Sequence, residues 1–200
     1  MMLPESVVAS VLALVVLLLL IRNVWDVRKL PHDHETIGPA GALPALGFAG
    51  LSAFVLVTVA YPMLYLLGRL DLLTGSVLQL RFPGDTAVQL AGPILLGVGL
   101  VLAFWSLRAI EPGALTTTGP YALVRHPMYI GYVFAFSGLF PLTLNLLALL
   151  ALLAVPAQIA VARRKEAVLE ARYGTAYRTY AARTGRFWPR TRERERMRTL

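Results

Sequence analysis

Thr118-Gly-Pro-Tyr-Ala-Leu-Val-Arg-His-Pro-Met-Tyr-Ile-Gly131 follows one apolar run, Val88–Ala109, and leads into another, Met128–Phe140. Two turn-formers, an Arg-His pair and two tyrosines are thereby set against segments apolar enough to enter a bilayer. Polar chemistry at a membrane boundary is costly, so its concentration here marks a functional loop. Further apolar runs fall at Leu3–Ile21, Leu43–Leu67 and Leu142–Val161. A crossing needs about 20 apolar residues, which the first three runs of the chain supply. The last two form one stretch interrupted by Pro141 and Asn145. That pattern predicts a tight helical hairpin, with Phe140-Pro141-Leu142-Thr143 as its turn. The expected fold is therefore all-α: a polytopic membrane protein of about five transmembrane helices. The last two make a Pro-broken hairpin, and a short helical tail follows on the cytoplasmic side.

Composition agrees. Of 200 residues, 57% are hydrophobic and 15% charged, which excludes an ordinary soluble domain. A single domain, 1–200, is expected, with N-terminal spans in 1–87 and the core that carries the quoted stretch in 88–190. Cysteine is absent, which removes disulfides, thiolate metal sites and a cysteine nucleophile. The net charge of +8 is concentrated, because residues 163–198 hold twelve of the nineteen Lys and Arg. A basic tail after a membrane span reads as positive-inside bias and attraction to anionic lipid, not as a nucleic-acid surface. No nucleic-acid partner is expected; membrane lipid is.

Glu5 precedes the first apolar run and Arg22 follows it directly, with no small-x-small cleavage site between. An uncleaved first helix is the expectation. Basic residues then orient the chain. Arg22, Arg28 and Lys29 follow the first run, whereas Arg69 and Arg81 in the next loop are balanced by Asp71 and Asp85. Five spans with the N-terminus outside and the C-terminus cytoplasmic satisfy this bias, and a bacterial-type plasma membrane suits it. Residues 110–127 and 163–200 then lie on one face, where two distant segments build one site.

The tail itself reads as helix, since Glu166, Glu170, Tyr173, Tyr177 and Tyr180 recur at three- and four-residue steps. Gly174 is a stop signal, Thr175 a cap for a second short helix, and Thr184-Gly185 its end. Phe187-Trp188-Pro189 suits an interfacial anchor.

Two blocks carry a resemblance. The first is G-P-Y-x-x-x-R-H-P-x-Y-x-G at 119–131; the second is E-x-x-L-x-x-x-Y-G-x-x-Y at 166–177. Together they resemble the isoprenylcysteine carboxyl methyltransferase family and the related integral membrane phospholipid-type methyltransferases. The resemblance implies S-adenosyl-L-methionine as cofactor and a hydrophobic or amphiphilic methyl acceptor: an isoprenylcysteine-type carboxylate, a lipid amine or a small thiol.

Residue chemistry stands beside that resemblance. His126 precedes Pro127, a preferred first helical residue, so it sits at a helix start where unpaired N–H groups favour an anion and disfavour imidazole protonation. The bland reading is a His that only caps a membrane helix. Tyr121 and Tyr129 offer aromatic faces to a sulfonium cation, against the rival reading of an aromatic belt, which is stronger for Tyr132. Glu166 is the candidate carboxylate; the alternative is a surface acid paired with Arg163 or Lys165. Lys165 stands where the resemblance leads one to expect a second acid. The resemblance further implies cofactor contact for Gly113, Ala114, Leu115 and Thr116, for Pro127 and Met128, and more weakly for Gly97 and Gly99. Glycines in a membrane helix otherwise serve close packing. Arg163 and Arg164 are substrate candidates, or else snorkel to lipid phosphate. His126 and Glu166 are the catalytic candidates. His32-Asp-His-Glu35 has no partner cluster, so no metal is expected.

Two other readings remain. Steroid 5α-reductase-type membrane reductases show a similar R-H-P-N-Y-x-G-E and use NADPH, but here Met128 replaces that Asn and Tyr132 that Glu. A catalytically degenerate membrane scaffold is the non-enzymatic alternative.

Overall fold

The computed structural model describes residues 2–29, 42–75 and 78–190, without the side chains of 24–29. His32, His34 and Glu35, and the charged end from 191 to 200, lie outside the described residues. The elements are α1 (Glu5–Lys29), α2 (Leu43–Leu66), a single turn α3 (Asp71–Thr74), α4 (Asp85–Ala109), α5 (Pro127–Thr143) and α6 (Ala154–Arg183). Short 3-10 segments cover Gly119–Ala122 and Leu146–Leu153. The protein is all-helical, with no strand among the described residues.

Among the described residues, four stretches are long and apolar enough to cross a membrane: Glu5–Asn23, Leu43–Leu66, Asp85–Ala109 and Leu146–Arg183. The apolar part of the last ends at Ala162; from Arg163 onward the helix is polar and lies beyond the spanning part. The remaining helix, α5, has 17 residues. At 1.5 Å per residue it is about 25 Å long, slightly short of a hydrocarbon core.

Helix α5 lies antiparallel against α4 along a seam of glycines. A Cβ on Gly99 would meet the Gly131 carbonyl oxygen at 2.6 Å, and one on Gly138 would meet that of Gly92 at 2.9 Å. Backbones this close gain dispersion contact that no larger residue permits. Helices α2 and α6 cross similarly, where a Cβ on Gly47 would lie 2.8 Å from Ala157 Cβ. Fully buried Leu12, Leu96, Leu139 and Leu142 fill the space between helices.

The hairpin turn is displaced from its expected position. Pro141 stays inside α5, and the chain reverses at Leu144, whose φ of 50° is left-handed. Asn145 then caps the next segment, its Oδ1 accepting from the Leu147 N–H at 3.0 Å and its Nδ2 donating to the Leu73 carbonyl at 3.1 Å. A proline in a last turn disturbs little that follows, whereas a capping Asn stabilises the new start.

The bundle has two distinct ends. At one, the Leu3 N–H donates to Gln89 Oε1 (2.6 Å), and Gln89 Nε2 to the Leu142 carbonyl (3.1 Å). At the other, the end of α1 meets the start of α5, with Arg22 Nη2 3.9 Å from Met128 Sδ. The loop 110–126 and the polar part of α6 gather at this second end, as the hairpin requires.

Candidate active site

His126 occupies the N-cap position of α5 with Pro127 next, as expected from the His-Pro pair. Its side chain makes no capping bond to the helix. The loop before it is instead tied to the chain beyond α6. The Arg125 N–H donates to the Gly185 carbonyl (2.8 Å), and the His126 N–H to that of Arg186 (3.1 Å). Phe187 thereby lies against His126, ring centroids 5.7 Å apart, while Trp188 is left 83% exposed.

One carboxylate organises this end. Glu166 Oε1 accepts from Arg125 Nε at 2.9 Å and lies 3.1 Å from His126 Nε2. Arg186 grips both oxygens, Nε at 3.0 Å from each and Nη2 at 2.5 Å from Oε2. Arg125 is fixed in turn by the carbonyls of Ala181 (3.0 Å) and Thr184 (2.5 Å). Glu166 is thus paired with neither Arg163 nor Lys165, and is only 12% exposed.

Burial alone would raise the Glu166 carboxyl, but the hydrogen bonds and charges of Arg186 and Arg125 outweigh it and hold it at about 2. His126 is pushed down to about 4, chiefly by burial, with Glu166 opposing and both arginines assisting. Desolvation, not the helix field, is the leading cause that favours a neutral imidazole here. An ionised carboxylate only accepts, so Nε2 carries the proton and donates to Glu166, leaving Nδ1 as the acceptor.

A cavity of about 340 Å³ opens beside this network. Ala114, Leu115, Thr116, Tyr121, His126, Met128 and Tyr129 all line it, so most of the sequence candidates converge. Gly113 adopts φ 79° and offers its carbonyl to the Tyr173 hydroxyl at 3.3 Å. Pro127 is buried at the helix start, and Glu166 stands behind His126. Gly97 and Gly99 lie away from the cavity wall, and Gly99 belongs to the α4–α5 seam. Arg163 and Arg164 are exposed and do not line the cavity; Lys165 does, its Nζ 5.7 Å from the Tyr129 ring centroid.

The structure adds residues that sequence reasoning did not place in the site. Arg22 comes from α1, Tyr132 from α5, and Leu169, Tyr177 and Tyr180 from α6. The helical repeat of Tyr173, Tyr177 and Tyr180 was the available signal for the last pair. Nothing in the spacing announced Arg186, because a bend after α6 brings it back.

Tyr180 donates to the Tyr121 carbonyl at 2.7 Å. The buried Tyr177 hydroxyl has no hydrogen-bond partner among the described residues. Burial, then Glu166, raises it to about 12, so it remains a donor. A buried donor beside a tyrosine-lined cavity suits a polar ligand with an aromatic part.

No curated protein matches the chain. Residues 88–176, somewhat under half of the chain, match the family model described as phospholipid methyltransferase, a family of integral membrane methyltransferases.

Proposed function

We propose that the protein transfers a methyl group from S-adenosyl-L-methionine to a hydrophobic or amphiphilic acceptor at the membrane face. The observation that carries this reading is the convergence of both motif blocks on one cavity, joined through the His126–Glu166 bond. Residues 114–116, Tyr121, Met128, Tyr129 and the Tyr177 hydroxyl would hold the cofactor. When bound, it supplies an already activated methyl group on a sulfonium, so the protein's task is positioning, charge and water exclusion.

Glu166 fixes the His126 tautomer and anchors both arginines, so its role is to position. His126 Nδ1 is the proton acceptor available to an amine or thiol acceptor, whereas a carboxylate would need none. The family's usual acceptors, lipid amine or isoprenylcysteine-type carboxylate, both fit a site at the end of a membrane bundle. In this reading the N-terminus lies outside and the site faces the cytoplasm.

Calorimetry on detergent-purified protein tests the cofactor directly. Binding of S-adenosylmethionine in the micromolar range, roughly −6 to −8 kcal/mol, is expected. Binding of NADPH in its place would favour the reductase reading. Folded protein that binds neither would favour the scaffold.

A further inference from the structure

Helix α6 ends at Arg183, and the chain leaves it extended at Thr184 (φ −113°, ψ 145°). Gly185 begins the bend that follows; a Cβ there would run into the Trp188 carbonyl oxygen, so a larger residue would have to open it. The Arg125 and His126 N–H groups then pin the returning segment through the carbonyls of Gly185 and Arg186. This path brings the Arg186 guanidinium to Glu166, 20 residues earlier in the chain. Arg186 lies beyond residues 88–176, the part that matches the methyltransferase family.

The two arginines on Glu166 hold it differently. Arg125 Nε and His126 Nε2 both meet Oε1, at 2.9 and 3.1 Å. Among the described residues, Oε2 is held by Arg186 alone, through Nε at 3.0 Å and Nη2 at 2.5 Å. A carboxylate held through one oxygen can still pivot, because its terminal torsion is broad. A planar guanidinium fork that also takes the second oxygen stops the pivot. Arg125 does not supply that second hold: its Nε serves Oε1, and its Nη1 serves the carbonyls of Ala181 and Thr184.

We propose that Arg186 is a positioning residue: by holding Oε2 it sets the carboxylate so that Oε1 keeps the His126 proton on Nε2 and leaves Nδ1 unprotonated. Without Arg186 the carboxylate turns on its Oε1 bonds, the imidazole loses its fixed acceptor, and both neutral tautomers are populated. The effect on the imidazole stands apart from the methyl-transfer reading; an effect on cofactor binding rests on it.

The test reads the imidazole in the full chain, labelled with nitrogen-15 at histidine and held in neutral detergent. His126→Gln removes one set of ring signals and so assigns it against His32 and His34. The parent protein should show a single Nε2-protonated tautomer at neutral pH, and Arg186→Ala a mixture of both. Added guanidinium in the millimolar range should restore the single tautomer, since the Arg186 side chain is 40% exposed and its place is open to solvent. Melting of each variant reports folding, and Arg186→Met, which keeps the packing of the stem, repeats the reading should Arg186→Ala not fold. Affinity for S-adenosylhomocysteine should fall about tenfold in Arg186→Ala and recover with guanidinium. An arginine-free variant that keeps the single Nε2-protonated tautomer overturns the proposal. So does a mixture that guanidinium leaves unchanged in Arg186→Ala while melting is lowered, which would assign Arg186 to holding the bend. A parent protein that binds no cofactor sinks the methyl-transfer reading instead, and the tautomer arms still decide the role of Arg186.

Discussion

His126 Nε2 and Glu166 Oε1 lie 3.1 Å apart across a separation of 40 residues. The bond joins the start of α5 to the polar part of α6, and the backbone pairing of residues 125–126 with 185–186 runs beside it. The pair is not a free acid and base. Glu166 is committed to two arginines, and His126 keeps a single open nitrogen.

Alanine substitutions should reveal that coupling. His126→Ala or Glu166→Ala alone should weaken S-adenosylmethionine binding by roughly 1–3 kcal/mol, the cost of stranding a buried polar partner. The double substitution should cost less than the sum, because both act on one network. Calorimetry on the three variants reads this; full additivity would dissolve the single-site geometry.

Acid should lower the protein's stability across two adjoining pH windows. His126 has a folded pKa of about 4 against an ordinary 6.5, so as pH falls from 6.5 to 4 the unfolded chain takes a proton that the folded one refuses. Stability therefore declines across that window. Glu166, at about 2 against an ordinary 4.5, contributes stability that is present above pH 4.5 and lost as pH falls towards 2. Thermal melts in detergent should show His126→Gln flattening the upper window and Glu166→Gln the lower one. Glu166→Gln should also destabilise at pH 7, by about 3 kcal/mol, since two arginines lose their counter-charge. Unchanged pH profiles would mean that neither group is held as described.

The helices were legible because hydropathy and proline placement act locally. Apolar length set α1, α2 and α4, and His126-Pro127 set the start of α5. The hairpin turn was misplaced by a few residues, since Pro141 is the stronger local signal but Asn145 makes the stabilising contacts. Gly174 produced a kink, φ 53°, within α6 rather than an end to it. Within the site, the convergence of 114–129 followed from motif spacing. Arg22 and Arg186 did not, because both reach it by tertiary packing. A basic residue after a membrane span has the same local pattern whether it faces lipid phosphate or a cavity.

Tyr177 separates a cofactor role from a structural one. Its hydroxyl makes no bond among the described residues, so Tyr177→Phe should leave the melting temperature without cofactor unchanged or slightly raised. Stabilisation by saturating S-adenosylmethionine should fall, matching an affinity loss of about 1 kcal/mol. A variant that melts earlier without ligand but binds normally would assign the hydroxyl to the fold.

Gly97 and Gly99 lie two residues apart on α4, yet alanine should affect them in opposite senses. A Cβ at Gly99 would stand 2.6 Å from the Gly131 carbonyl oxygen and 2.7 Å from the Ala135 nitrogen, both backbone atoms that cannot step aside. The α4–α5 seam would have to open, at a cost of about 1–3 kcal/mol. At Gly97 nothing lies within 4 Å of the added methyl, and replacing a helical glycine favours the helix by roughly 0.5–1 kcal/mol. Gly99→Ala should therefore lower the unfolding midpoint in detergent, and Gly97→Ala should hold or raise it. Neither methyl enters the cavity, so Gly97→Ala should bind S-adenosylmethionine like the parent protein. A tenfold loss of cofactor affinity in Gly97→Ala, with its stability intact, would return α4 to the cofactor site and require the cavity to extend along that helix.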